Sequence, residues 1–336
     1  MNQQRSRHEQ AHNTHYKAEN TQENSDYRIF RTHDKNYTYG HDLGRKQRQT
    51  TRIIYTNING ITDFPKDYSI LNLLNTMEET EADILLLSEI NIPWNNITAN
   101  TVGNYFKRQN IQNFKVIGTS SDETSKTFYL PGGCAILLRG PVVGRIAGTG
   151  EDTRGLGRWC YVKLNGKKGR TTWIIAAYRV QNNPYGGTTT VYSQQKRLLT
   201  QQGVINPKPQ TIWDNDFQSF LKNIPANDEI IVGLDANASI QNKDLITVMM
   251  GKQLQDLISQ RHGENTPPTY DRGRTTLDHF ITSPRIITTA QYCGILPSRK
   301  YFESDHRSIY VDFPHKLLFG GLNYSMAERR QQNQQR

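Results

Sequence analysis

The sequence predicts an α/β domain whose strands are covered by helices in layers. Two patterns and one absence carry that prediction. RIIYTNI (52–58), DYSILNLLNTMEE (67–79) and ADILLLSEI (82–90) make a strand–helix–strand unit, and short apolar runs go on alternating with helical stretches as far as SDHRSIYVDF (304–313). No internal repeat and no clear linker interrupts 52–314, so the 336-residue chain reads as one large domain.

Taken in order, RIIYTNI reads as a strand and ADILLLSEI as a buried one, and between them Ile70, Leu73, Leu74 and Met77 fall at helical spacing. GCAILLRG (133–140), RWCYVKLN (158–165) and TTWIIAAYRV (171–180) are strand candidates, the last two separated by the turn GKKG, and together they look like an antiparallel meander. Helical stretches around 190–202 and 213–223 lead to DEIIVGLDAN (228–237), again a buried strand. A helix is expected near 244–261, followed by TTLDHFITS (275–283). In the closing run YFESDHRSIYVDF (301–313), Ile309, Val311 and Phe313 lie two apart, the period of a half-buried strand.

Only 35% of the residues are apolar and the mean hydropathy is -0.73, which points to polar segments outside the core. Residues 1–50 are rich in Gln, Asn, His, Arg and Lys, and the chain closes on ERRQQNQQR. We therefore expect a basic, disordered tail over 1–50, the folded domain over 51–314 and a polar tail over 315–336. The formal charge of +10 and pI near 9.4 favour a polyanionic partner, nucleic acid ahead of a membrane surface. The basic residues are scattered (Arg45, Lys46, Arg48; Lys167, Lys168, Arg170; Arg272, Arg274), a distribution that a solvated face also produces. Cys134, Cys160 and Cys293 are far apart and odd in number; they set up neither a disulfide framework nor a zinc spacing and fit a reducing compartment. With no apolar leader and no run of membrane-spanning length, a soluble intracellular protein is expected, nuclear if DNA is its substrate.

One device recurs. An apolar strand leaves the core and presents an acid or amide at its end: Asn57 and Asn59 after RIIYT, Glu89 after ILLLS, Asp235 and Asn237 after IIVGL, Asp278 in TTLDH, and Asp305 with His306 in SDH; Tyr178 in WIIAAYRV fits the same pattern. Singly, each has a plainer reading. Asn57 and Asn59 before Gly60 also make a turn, DAN also caps a helix, and SDH also makes a surface turn. Asp278 is harder to dismiss, because an acid between Leu277 and Phe280 needs a partner, and His306 is the candidate. If the strand ends converge, the site is oxygen-rich with one histidine. That donor set suits Mg²⁺ or Mn²⁺ and the hydrolysis of a phosphate ester. A serine-hydrolase reading of Ser304, Asp305 and His306 fails, since neighbours on an extended segment diverge and the chain has no GxSxG elbow.

In order and approximate spacing, TNING (56–60), LLLSEI (85–90), AAYRV (176–180), LDAN (234–237), TTLDHF (275–280) and SDHRS (304–308) resemble the endonuclease/exonuclease/phosphatase superfamily over about 52–314. The resemblance implies a four-layered α/β/β/α sandwich of two mixed, largely antiparallel sheets flanked by helices. It also implies an Mg²⁺-dependent hydrolase, with Mn²⁺ as a substitute. Glu89 would be the principal metal ligand with Asn59 and Asp305 near it, Asp235 would activate the water with Asn237 beside it, Tyr178 and Asn57 would contact the phosphate, and His306 would stabilise it with Asp278 behind the imidazole. Asn59 stands where many members have Asp, and Leu234 where Gly is usual before the acid. YRVQNNPYGGTTTVYSQQKRLL and PPTYDRGRTTLDHFITSP look like the endonuclease domains of non-LTR retrotransposons, which implies DNA as substrate and a reverse transcriptase of the same element as partner. An RNase or deadenylase, an abasic-site nuclease and a non-catalytic nucleic-acid-binding remnant are the alternatives; oligomeric state is not legible.

Overall fold

The computed structural model describes residues 28–61, 68–125 and 127–320. Two short strands, β1 (Ile29–Phe30) and β2 (Tyr39–His41), precede β3 (Thr50–Asn57). Helix α1 (Tyr68–Glu79) joins β3 to the parallel strand β4 (Ile84–Ser88), completing the expected strand–helix–strand unit. Helix α2 (Asn96–Arg108), capped by the Asn95 side chain on the amides of Ile97 and Thr98, leads to β5 (Phe114–Thr119) and β6 (Cys134–Arg139). The chain then builds a second sheet from β7 (Ile146–Glu151), β8 (Trp159–Asn165) and β9 (Thr171–Tyr178). Helices α3 (Val191–Gln201) and α4 (Pro209–Asn223), strand β10 (Glu229–Asp235), helix α5 (Lys243–Met250), strand β11 (Gln255–Asp256), helix α6 (Leu257–His262), strand β12 (Asp278–Thr282) and helix α7 (Pro284–Thr289) follow. Strands β13 (Tyr292–Ile295) and β14 (Ile309–Pro314) return to the first sheet, and α8 (His315–Phe319) is the last described element. The first sheet runs β1-β2-β13-β14-β3-β4-β6-β5 and the second β11-β12-β10-β9-β8-β7.

Side-chain alternation along the strands makes the layers. Ile53 and Tyr55 of β3 and Ile84 and Leu86 of β4 pack inward against Val162, Ile174, Ala176, Ile231 and Phe280 of the second sheet. Their neighbours Ile54, Leu85 and Leu87 turn outward onto Leu74 of α1 and Phe106 of α2. On the opposite surface Ile175, Ala177, Val232 and Leu234 meet Trp213 and Phe217 of α4 and Leu245 and Val248 of α5. Helix, sheet, sheet, helix is the four-layered sandwich. Strands covered on both faces need apolar residues at every position, which is why ILLLS shows no polar alternation.

At one point the sheets approach too closely for any side chain. A Cβ on Gly233 of β10 would lie 2.5 Å from the Tyr55 ring. Gly233→Ala is accordingly expected to lower stability by about 1–3 kcal/mol through overpacking. The measurement is the urea midpoint at unchanged slope; an unmoved midpoint would mean that the ring yields at no cost.

Four expectations need correction. The folded chain begins before residue 51: β2 pairs with β13, Tyr39 is buried, and Tyr310 Oη donates to the carbonyls of His41 and Asp42. Composition hid this edge because backbone pairing and distant side chains hold it, with few aliphatics of its own. Likewise the expected tail from 315 contains α8, whose Leu318 and Phe319 are buried against the core; residues 1–27 and 321–336 lie outside the described residues. The meander is half right. β8 and β9 pair antiparallel, but β6 pairs with β4 and β5 in the other sheet, since strand pairing is set by tertiary packing and not by adjacency in sequence. Finally, the helix expected over 244–261 is two: it stops at Gly251, Gln253 takes a left-handed φ of 53°, and Asp256 caps a new helix through Ser259 N.

Candidate active site

Backbone register alone assembles half of the site. Asp235 at the end of β10 lies opposite Tyr178 on the parallel β9 and opposite Asp278 on the antiparallel β12, so three polar side chains stand in one row at one edge of the second sheet. In the first sheet Asn57 lies opposite Ser88, which puts Glu89 just past the end of β4. Ile309 pairs with Tyr55, so the SDH turn descends beside the same edge. The facing sheets bring both rows together.

Hydrogen bonds then join the rows. Asn57 Nδ2 donates to Asp235 Oδ2 across the sandwich at 2.9 Å, and Asn237 N donates to Asp235 Oδ1 at 2.9 Å. Tyr178 and Asn57 stand beside Glu89 and work against the rise that burial gives its carboxyl, and Tyr178 also neighbours Asn237. Asn237 Nδ2 donates to the Arg179 carbonyl at 2.9 Å. His306 Nδ1 lies 2.7 Å from Asp278 Oδ2. This is the expected pair: in an otherwise closed strand the carboxylate finds its partner in the imidazole. Asn59 enters through its backbone, donating to Asn57 Oδ1 at 2.9 Å, while its side chain faces solvent. Asn59, Glu89 and Asn237 all adopt left-handed φ values, 49°, 49° and 47°. For Glu89 that conformation is strained, and such strain persists where the surroundings over-determine it.

Electrostatically the centre is a packed set of acids around one cation. Burial, then the Asp278 and Glu89 carboxylates, push Asp235 up to about 8, against the pull of His306. Burial also raises Glu89. For His306 burial works in the opposite direction, but the Asp278 carboxylate outweighs it and holds the imidazole up to about 10. At neutral pH His306 is therefore an imidazolium paired with Asp278. The donor atoms of Asp235, Asp278 and His306 lie within 4.8 Å of one another, close enough to hold a metal ion, although the short His306–Asp278 bond already pairs two of them. The oxygen donors fit a hard cation better. Glu89 is a desolvated carboxylate, and Asp305 has one oxygen 3.8 Å from Arg272 while its Oδ1 is buried with no hydrogen-bond partner.

Three supporting groups, Tyr55, Thr269 and Tyr270, escaped the sequence reading. Tyr55 Oη bonds Asp278 Oδ1 at 3.2 Å and Ser88 Oγ at 2.8 Å. Thr269 Oγ1 accepts from the amides of Leu277 and Asp278. The Tyr270 ring lies 5.0 Å from that of His306. Ser304 Oγ donates to the Asn57 carbonyl at 2.6 Å and accepts from His306 N, so the serine braces the turn to β3. The one available signal was Tyr55, a hydroxyl in a fully buried run that needs a partner; the others follow from loop conformation.

A charged imidazole backed by a buried carboxylate, beside amides and oxygen donors at the edge of a two-sheet sandwich, is equipment for acting on a phosphate ester. Residues 54–306 match the model of the Endonuclease/Exonuclease/phosphatase family, and the chain belongs to that family, whose members are generally hydrolytic nucleases and phosphatases. Among solved structures, the AP endonuclease LMAP of Leishmania major is similar at 14% identity and a TM-score of 0.55, over 79% of this chain and 88% of that one. The human Nocturnin catalytic domain, solved with a bound sulfate anion, is similar at 16% identity and a TM-score of 0.52, over 80% and 94%. The 3' phosphatase NExo of Neisseria, solved with a product DNA hairpin, is similar at 14% identity and a TM-score of 0.54, over 78% and 99%. At these identities the likeness is one of fold. No curated protein sequence matches the chain, and no described helix is long and apolar enough to cross a membrane.

Proposed function

We propose that this protein is an Mg²⁺-dependent phosphodiesterase that nicks DNA, an endonuclease of the retrotransposon type, by direct attack of an activated water. The observation that carries the reading is the His306–Asp278 pair standing beside Asp235 at the meeting of the two strand-end rows. Asp235, held by Asn57 and Asn237, takes the proton of the water. His306 gives its Nδ1 proton to Asp278 in a hydrogen bond and so aims Nε2 at a phosphate oxygen. Tyr178, Asn57 and Asn237 hold the remaining oxygens. Glu89 and Asp305 would hold Mg²⁺, or Mn²⁺ in its place, with the Asn59 side chain turning in from the solvent side to join them, and the ion would neutralise charge developing on the phosphoryl group. The net charge of +10 supports a nucleic-acid backbone as substrate, since release of counterions by Lys and Arg drives such binding. A reverse transcriptase of the same element is the proposed partner, and the nucleus the proposed location.

The test is incubation of the purified protein with supercoiled plasmid, an abasic-site duplex and single-stranded RNA, with Mg²⁺ or with EDTA at low salt. Metal-dependent nicking of intact plasmid is expected. Cleavage confined to abasic DNA or to RNA would move the substrate within the family, and binding without cleavage of any of the three would overturn the enzymatic reading.

A further inference from the structure

The spacing of the cysteines in the sequence suggests no zinc site, yet Cys293 stands in a cluster of nitrogen and sulfur donors apart from the catalytic row. Cys293 on β13, His41 at the end of β2 and His262 at the end of α6 bring donor atoms within 4.8 Å of one another. Cys293 Sγ is 3.3 Å from His262 Nε2, and the two imidazole centroids are 4.8 Å apart. His41 Nδ1 and His262 Nε2 both turn toward the Cys293 carbonyl oxygen, at 3.1 and 2.9 Å. Cys293 pairs with Val311 in the interior of β14, away from the end that carries His306.

The backbone is shaped to let these groups meet. Gly40 and Gly294 lie opposite each other on β2 and β13. A Cβ on Gly40, whose φ is 93°, would stand 2.6 Å from His262 Nε2 and 2.8 Å from the Cys293 oxygen, and one on Gly294 would stand 2.6 Å from the His41 oxygen. The paired glycines thus open the space that the two histidines and the cysteine share.

We propose that His41, His262 and Cys293 form a site for a borderline divalent ion of the zinc type, which ties the β2 edge to β13 and α6. Two imidazoles and a thiolate suit Zn²⁺ and not Mg²⁺. Zn–S and Zn–N bonds of about 2.3 and 2.0–2.1 Å in a tetrahedron set sulfur and nitrogen about 3.5 Å apart, close to the spacing seen here. On loading, the Cys293 thiol releases its proton to solvent, and each imidazole changes tautomer, its single proton passing through solvent from the nitrogen that now donates to the Cys293 carbonyl to the nitrogen turned away from the ion. The hydrogen bonds to the Cys293 carbonyl are exchanged for metal bonds. Burial, and for His262 also the neighbouring His41, brings both imidazoles to about 4, so they are neutral ligands. Burial pushes the thiol up to about 12 despite Arg261, so the thiol proton is the one to be displaced. His41 is half-buried, so the fourth position is expected to be taken by water.

The experiment uses full-length protein carrying Glu89→Gln, which removes the principal oxygen ligand proposed for the catalytic metal, under reducing conditions. One equivalent of Co²⁺ is expected to give a near-ultraviolet thiolate-to-cobalt charge-transfer band, lost in Cys293→Ser. His41→Ala is expected to weaken Co²⁺ binding by more than about tenfold. Should the serine variant unfold by circular dichroism, X-ray absorption of the zinc-loaded parent decides, with one sulfur expected at about 2.3 Å. Absence of the band, a band undiminished in folded Cys293→Ser, or a zinc shell of oxygen and nitrogen alone would overturn the proposal.

Discussion

Asp235→Asn is expected to lower the nicking rate by about 10²–10⁴-fold, the range set by loss of a positioned general base. The same substitution is expected to stabilise the fold at alkaline pH. The carboxylate has a folded pKa of about 8 against an ordinary value of 3.8, because burial and then Asp278 and Glu89 disfavour its charge. A carboxylate raised in this way contributes stability in its protonated form. That contribution is complete below about 4 and is lost as pH rises through about 8. Asparagine stays neutral throughout, so its advantage over wild type grows between pH 5 and pH 9 in thermal melts. A variant that is both inactive and less stable at pH 9 would show that Asp235 serves as a structural acceptor and not as a strained base. The proposed activity is expected to follow the same charges, rising as Asp235 loses its proton and falling as His306 loses its own near 10. Asp278 is the foremost charge raising both groups. In Asp278→Asn the whole bell of residual activity, at fixed Mg²⁺, is therefore expected to move to lower pH. Glu89→Ala and His306→Ala are expected to abolish detectable nicking and leave the profile of plasmid binding intact.

Arg52→Met is expected to be the most damaging change outside the site, at about 3–5 kcal/mol. Arg52 and Asp312 face each other in register on β3 and β14, and both are buried. The guanidinium donates to both carboxylate oxygens at 2.7 Å and to the Thr80 carbonyl at 2.7 Å. Burial raises the pKa of Asp312 and Arg52 opposes that rise, so removing the arginine leaves a desolvated carboxylate between two packed layers. The loss should shrink at low pH, where Asp312 can take up a proton. Arg52→Met combined with Asp312→Leu should recover most of the stability, because replacing a buried pair by apolar side chains is often neutral. Urea unfolding of the two single variants and the double variant measures this; a double variant as unstable as Arg52→Met alone would locate the damage in packing and not in charge.

Much of the candidate site was legible because it sits where strand patterns end. Apolar runs such as ILLLS and IIVGL must be buried, and the first polar residue after each, Glu89 or Asp235, must emerge at an edge. Asp278 also declared its need for a partner, and His306 supplies it. Tyr55 signalled only that its buried hydroxyl needs a partner, which lies more than two hundred residues away, and Thr269 and Tyr270 were silent, since their roles arise only across a loop.

By itself the sequence determined the strand and helix periods, the burial of the central strands and the set of acids and amides at their ends, all of which depend on local spacing. Tertiary structure alone decided the rest. It set which sheet takes β6, how β2 closes the sheet edge through Tyr39 and Gly40, and how Cys293 meets two histidines, one of them carried by a polar segment with hardly an aliphatic residue. Pairing energies and close approaches of this kind are shared between segments distant in sequence. No local window contains both partners, so the information is absent until the chain folds.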